Sequence, residues 1–200
     1  RAVVNSSVRV DGLVKANSAS VDASGAVVLS SSDRAEIGGK IDVSSTAGKA
    51  GAITITAPTI NLNSTASLLA VGESGGGQVL VGGNWQGKGP LAQSRSVNMA
   101  SGALIDASAK TNGDGGEVVL WSAVSDANSL TQVAGTIYAK GGALSGNGGR
   151  VETSGYELQT EGVFVDTRAV NGETGNWLLD PVDILIANSG GNITPAQIIS

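Results

Sequence analysis

Two hundred residues are enough for one sizeable core, and 30 glycines scattered along them exclude long helices, since each interior glycine costs a helix roughly 1 kcal/mol against alanine. Aromatic residues make up only 3%, so the core is aliphatic and narrow; a net charge of −5 leaves no basic stripe for nucleic acid. With no cysteine and no histidine, disulfides, thiolate or imidazole metal sites and Ser-His-Asp or Cys-His catalysis are all excluded from this segment.

The chain starts without Met and with a strand pattern at once, so residues 1–200 read as a single segment internal to a longer protein. No apolar run approaches the roughly twenty residues of a membrane helix, so it is not expected to span a membrane. In chain order, two apolar positions recur. The first falls at Val21, Ile41, Leu68, Ile105, Ile137 and Val165, with Asp following in Val21-Asp22-Ala23, Ile41-Asp42-Val43, Ile105-Asp106-Ala107 and Val165-Asp166-Thr167. The second falls at Val27, Ile53, Val79, Val118, Val151 and Trp177, each two residues after a glycine, in steps of 26, 26, 39, 33 and 26 residues. In the last five units the two positions lie 12, 11, 13, 14 and 12 residues apart, which is a strand, a glycine turn and another strand. A fixed step of this size is the signature of a solenoid.

The strands alternate, as in Ile53-Thr54-Ile55-Thr56, so one face is aliphatic and the other polar, although Leu69, Leu80 and Phe164 break the rule. A sandwich would show more aromatics and two-residue hairpin turns. Corresponding glycine turns favour coils stacked strand upon parallel strand, that is, an all-β, right-handed parallel β-helix with short strands. At about 20 residues per coil the segment would form about ten coils and a rod of roughly 45 to 50 Å. Open strand edges at its two ends invite end-to-end association.

The longest step holds residues 84–96, an expected loop outside the helix with Trp85, Lys88 and Arg95 as candidate contact residues. The plainer alternative is that Trp85 covers apolar coil surface while Lys88 and Arg95 are solvated. Near the C-terminus, Thr194-Pro195-Ala196-Gln197 has the pattern of a helix start or of one turn at a corner.

Gly83 to Pro90 (GGNWQGKGP with the preceding glycine), Gly113 to Trp121 (GDGGEVVLW), Gly146 to Leu158 (GNGGRVETSGYEL) and Gly175 to Pro181 (GNWLLDP) resemble the repeat region of filamentous-haemagglutinin-type exoproteins. Within that family they are similar to the high-molecular-weight adhesin branch of two-partner secretion, over about Val8 to Ile186. The resemblance implies a right-handed β-helix secreted to the surface of a Gram-negative bacterium. It also implies two partners: an outer-membrane two-partner transporter during export, and a host or bacterial cell-surface receptor, glycan or protein. The family's secretion domain carries an Asn-Pro motif that is absent here, so the segment is expected to begin after or near the end of that domain. Some members of the branch are glycosylated on asparagine, which makes Asn5, Asn63 and Asn192, each in an acceptor triplet, candidate glycosylation sites.

Recurrent Asp22, Asp42, Asp106 and Asp166 would suit glycoside hydrolysis only if stacking brought two carboxylates together; strand-end roles are the simpler expectation, and no enzyme activity is expected. Asn112 to Glu117 looks like a glycine-aspartate calcium loop but is not repeated, and no Gly-Lys-Ser/Thr supports a phosphate loop, so no metal or cofactor is expected. Two functions remain: an adhesin mediating attachment to host or neighbouring cells, or the rigid stalk of a contact-dependent toxin-delivery exoprotein.

Overall fold

The computed structural model describes residues 7–15, 25–187, 191, 193 and 194. Among these residues eighteen short strands wind as six three-stranded coils. The first three coils hold β1 (Ser7–Val10), β2 (Leu13–Lys15), β3 (Ala26–Ser30); β4 (Arg34–Ile37), β5 (Lys40–Asp42), β6 (Ala52–Thr56); and β7 (Thr59–Leu62), β8 (Ser67–Leu69), β9 (Gln78–Val81). The next three hold β10 (Ser96–Met99), β11 (Leu104–Asp106), β12 (Glu117–Trp121); β13 (Leu130–Val133), β14 (Thr136–Tyr138), β15 (Arg150–Ser154); and β16 (Glu157–Gln159), β17 (Phe164–Asp166), β18 (Asn176–Asp180). The strands that open each coil form one parallel sheet, the middle strands a second and the closing strands a third. This is the expected parallel β-helix, right-handed by the crossover rule.

Register converts the sequence periodicity into a core. The second apolar series is one unbroken column on the third sheet, Val27 opposite Ile53, then Val79, Val118, Val151 and Trp177. Ile41, Leu68, Ile105 and Ile137 stack likewise on the middle sheet and are fully buried. Burial at roughly 1.5–3 kcal/mol per side chain makes these columns the main source of stability. Thr131 is also fully buried, and its hydroxyl is answered: it donates to the Ser154 carbonyl oxygen at 2.7 Å, with Ser122 and Ser129 bonded beside it.

Two expectations are corrected. The register places Val14, not Val21, opposite Ile41, and Val21 lies outside the described residues. Among the described residues the coils number six, not ten, because three strands and three corners consume 26 or more residues per turn, and at about 4.8 Å per coil this part of the rod is roughly 25–30 Å long. The candidate helix start at Thr194 continues into residues outside the described set.

Glycines fix the close approach of successive coils. A Cβ on Gly51, Gly77, Gly116, Gly149 or Gly175 would fall about 2 Å from the carbonyl oxygen of the previous coil's corresponding glycine: 1.9, 2.1, 2.0, 2.1 and 1.9 Å. None of the five has positive φ, so the requirement is contact between backbones, not a special turn.

The steps of 39 and 33 residues have one cause. Both insertions lie at the corner from the third sheet to the first, in consecutive coils: residues 82–95 between β9 and β10, and residues 122–129 between β12 and β13. They stack on one another through the Ser94–Ser122 bridge, the Ala123 N–H to Ser94 carbonyl bond of 2.8 Å, and an Arg95–Asp126 ion pair of 3.4 Å.

We expect Gly116→Val to cost about 3 kcal/mol or more, since only backbone atoms stand in its way. Ile105→Ala should cost about 2–5 kcal/mol. Equilibrium denaturation of the two variants checks both; a Gly116→Val protein as stable as the parent would show that the glycine stack is not required.

Candidate functional site

The recurrent aspartates do not converge. Along the middle sheet Asp42 is separated from Asp106 by Leu69, and Asp106 from Asp166 by Tyr138, while Asp22 lies outside the described residues. Each carboxylate instead accepts a backbone N–H two residues ahead: Ser44 at 3.0 Å, Ser108 at 2.9 Å and Arg168 at 3.0 Å. They hold the turn after the strand. The Arg168 guanidinium, bonded at 2.8 and 2.9 Å, holds the Asp166 carboxyl below the usual carboxylate range. Burial opposes the same shift at Asp42, but the Ser44 bonds and Lys40 prevail.

The calcium-like loop is spoken for by protein donors. Asp114 Oδ1 accepts the Asn147 N–H at 2.7 Å, and Glu117 accepts Gln78 Nε2 at 2.8 Å on one oxygen and the Arg150 guanidinium on the other. Among the described residues no group of three or more acidic, His or Cys side chains is placed to hold a metal ion. Of the candidate glycosylation sites, Asn63 is exposed in the turn between β7 and β8, whereas Asn5 and Asn192 lie outside the described residues.

The loop of residues 82–95 folds back on the rod. Its 3-10 turn, Trp85–Gly87, lies on the outward face of the third sheet, where Leu80, Val119 and Trp121 form a second apolar cluster that Trp85, Leu91 and Val124 cover. This is why Leu80, apolar on an outward position, is buried to 5% exposure. Gly83 and Gly87 press on the Trp121 indole, a Cβ on either falling 2.6 or 2.5 Å from the ring, and Gly87 has φ +63°. Trp121 Nε1 is buried without an acceptor, a cost of about 1–3 kcal/mol that tight burial of its ring outweighs. Gln86 takes the left-handed conformation, φ 54°, and its N–H donates to Glu152 Oε2 at 2.7 Å. The Arg150 guanidinium stacks on the Trp85 ring, 4.4 Å from its centroid. Of the candidate contact residues, then, Trp85 packs against the rod, while Lys88 and Arg95 stay exposed, Lys88 bonded to Gln86 Oε1 at 2.7 Å.

Beside this loop runs a trough of about 450 Å³ along the glycine corner. Gly77, Gly116 and Gly149 form its floor, Lys49 and Asp114 one wall, and Gln78, Glu117, Arg150 and Asn176 the other. These last four are successive members of one register column, a coil apart. Sequence reasoning missed the trough because it depends on where side chains are absent.

Glu152 is the buried carboxylate beneath the loop, accepting also the Ser154 hydroxyl at 2.9 Å. Burial raises its pKa above the ordinary glutamate value, against the lowering by the Gln86 and Ser154 bonds, and Asp180 and Glu117 raise it further. A raised folded-state pKa favours the protonated form, so this group's stabilising contribution is complete below about pH 4.3 and is lost as pH rises through the folded value. Glu152→Gln, which keeps the acceptor for Gln86, should therefore be more stable than the parent at pH 7, the gap closing on acidification toward pH 4. Thermal unfolding at both pH values measures it; a gap that widens on acidification would contradict the assignment.

No family model matches the chain, and no curated protein does. Among solved structures, the crystal structure of the HMW1 secretion domain from Haemophilus influenzae is similar, with a TM-score of 0.70 and 32% sequence identity over 87% of this chain and 45% of that one. The chain thus spans less than half the length of that solved relative. With 32% identity over 87% of the chain on a parallel β-helix, the chain belongs to the filamentous-haemagglutinin and HMW1 type of two-partner secretion exoproteins.

Proposed function

We propose that this chain is the β-helical part of the secretion region of an adhesin: it leaves the cell through an outer-membrane two-partner transporter, stays at the bacterial surface and takes part in attachment to host or neighbouring cells. The observation that carries the export step is the 32% identity to a secretion domain over 87% of the chain. Two features of the chain are suited to that route. It has no cysteine, so nothing cross-links it before passage. Its coils each contact only their neighbours, so they form one upon the next. Among the described residues no helix is long and apolar enough to cross a membrane.

Shape and surface support the attachment reading. A stiff, polar-faced rod holds groups at a fixed distance from the cell, and Lys88, Arg95 and the trough walls are exposed along it.

Protease accessibility of the full-length exoprotein on intact cells tests export: it should be lost when the transporter is deleted and restored with it. Accessibility independent of the transporter would overturn the route. Attachment of the displaying cells to epithelial cells and to sister bacteria tests the second half; displayed protein with no attachment to either would favour the stalk of a toxin-delivery exoprotein instead.

A further inference from the structure

The trough along the glycine corner has the form of a site. Its length, two to three coil spacings of about 4.8 Å, is roughly 10–15 Å. Its floor is bare because Gly77, Gly116 and Gly149 must be glycine for the coils to approach, so the groove is a necessary by-product of the stacking. Its second wall is built of planar polar groups held in place. Gln78 donates to Glu117 at 2.8 Å, Arg150 pairs with the other Glu117 oxygen, and Trp85 backs the Arg150 guanidinium at 4.4 Å. A wall ordered before binding loses little conformational entropy on binding.

The chemistry narrows the ligand. A peptide adding as a strand needs unused main-chain groups, but those of the floor are consumed within the rod. The Gly116 and Gly149 N–H groups donate to the Ala107 and Ala139 carbonyls at 2.7 Å, and the Gly116 and Gly149 carbonyls, like that of Gly77, accept Arg150, Asn176 and Glu117 N–H groups at 3.0 Å. A polyanion needs excess cation, but Lys49 and Arg150 are balanced by Asp114 and Glu117. What remains available is an array of amide, carboxylate and guanidinium edges repeating once per coil. Such an array pairs with hydroxyl groups, each both donor and acceptor, on rings that follow one another at a similar spacing.

We propose that this trough binds a neutral hexose oligosaccharide of two or three residues, with Gln78, Glu117, Arg150 and Asn176 as hydroxyl partners and Trp85 as the residue that positions Arg150. The proposal rests on the attachment reading above and supplies its receptor class. In it the loop of residues 82–95 braces one wall of the trough.

The test uses the whole chain and a panel of uncharged trisaccharides, cellotriose, maltotriose, laminaritriose and mannotriose, with 3′-sialyllactose and a heparin hexasaccharide as charged probes, read by saturation-transfer NMR and titration calorimetry. At least one uncharged probe should bind at millimolar concentration or below. Gln78→Ala with Asn176→Ala should weaken it at least tenfold without moving the unfolding midpoint, since both residues are exposed. Trp85→Phe, which keeps a ring under Arg150, should retain more affinity than Trp85→Ala. Absence of binding by all four, undiminished binding by the double variant, or preference for a charged probe would each overturn the proposal. Displayed exoprotein that attaches equally well with the double substitution sinks the trough alone, whereas trisaccharide binding without cell attachment sinks the adhesion reading alone.

Discussion

The rod depends on one contact: the carbonyl oxygen of a glycine in one coil occupies the space where a side chain on the next coil's glycine would begin. From Gly51 to Gly175 that contact repeats with every turn, at 1.9–2.1 Å from the missing Cβ. It sets where each coil must corner and therefore which residues of the closing strand face inward. Val79 meets Ile53 and Val118 because Gly77 meets Gly51 and Gly116. The aliphatic columns supply the larger free energy, at roughly 1.5–3 kcal/mol per side chain, but their alignment follows from the backbone contact. Slippage by one residue would turn each column outward.

The same contact separates what may vary from what may not. The corner leading into the third sheet is tied at every coil, whereas the corner leading out of it is not. Both long insertions fall at the latter, and residues 82–95 and 122–129 settle on each other and on the outward side of the sheet. There Leu80, Val119 and Trp121 would expose an apolar strip if uncovered; the insertion covers it with Trp85 and Leu91. Glu152 and Arg150, on the next strand, fasten the cover by a hydrogen bond and by stacking. This flank of the rod thereby carries a buried carboxylate under the loop and the polar trough alongside.

Much of this is legible in the sequence, for reasons that can be named. The second apolar series stands out through a glycine placed two residues earlier, and all six members pair one to one, because that glycine marks the tied corner. The first series lacks such a marker. At its start an Asp after Val21 suggests the repeat, yet the register uses Val14. Spacing alone overestimates the number of coils because an opening strand such as β7 (Thr59–Leu62) or β16 (Glu157–Gln159) follows the closing strand with only two intervening residues and reads as its continuation. Periodicity names Leu80, Leu69 and Phe164 as exceptions without explaining them. Leu80 is answered by the loop, and Phe164 meets Tyr138 edge-on at 6.1 Å, each a contact between distant stretches that one-dimensional spacing does not carry. The trough is invisible for a related cause: it is made by glycines whose purpose lies elsewhere.

Every ladder hydrogen bond between coils runs along the rod axis, and no disulfide crosses any joint. A pull applied to the far end while the near end is tethered loads those bonds head-on, one strand at a time, and the end coil peels before the next is strained. Each coil so released adds roughly 90 Å of slack, 26 residues at about 3.5 Å apiece, and can rewind on the intact coil beneath once the load drops. Under load from one end the rod would thus lengthen in steps, its give drawn from the same ladders that make it stiff at rest.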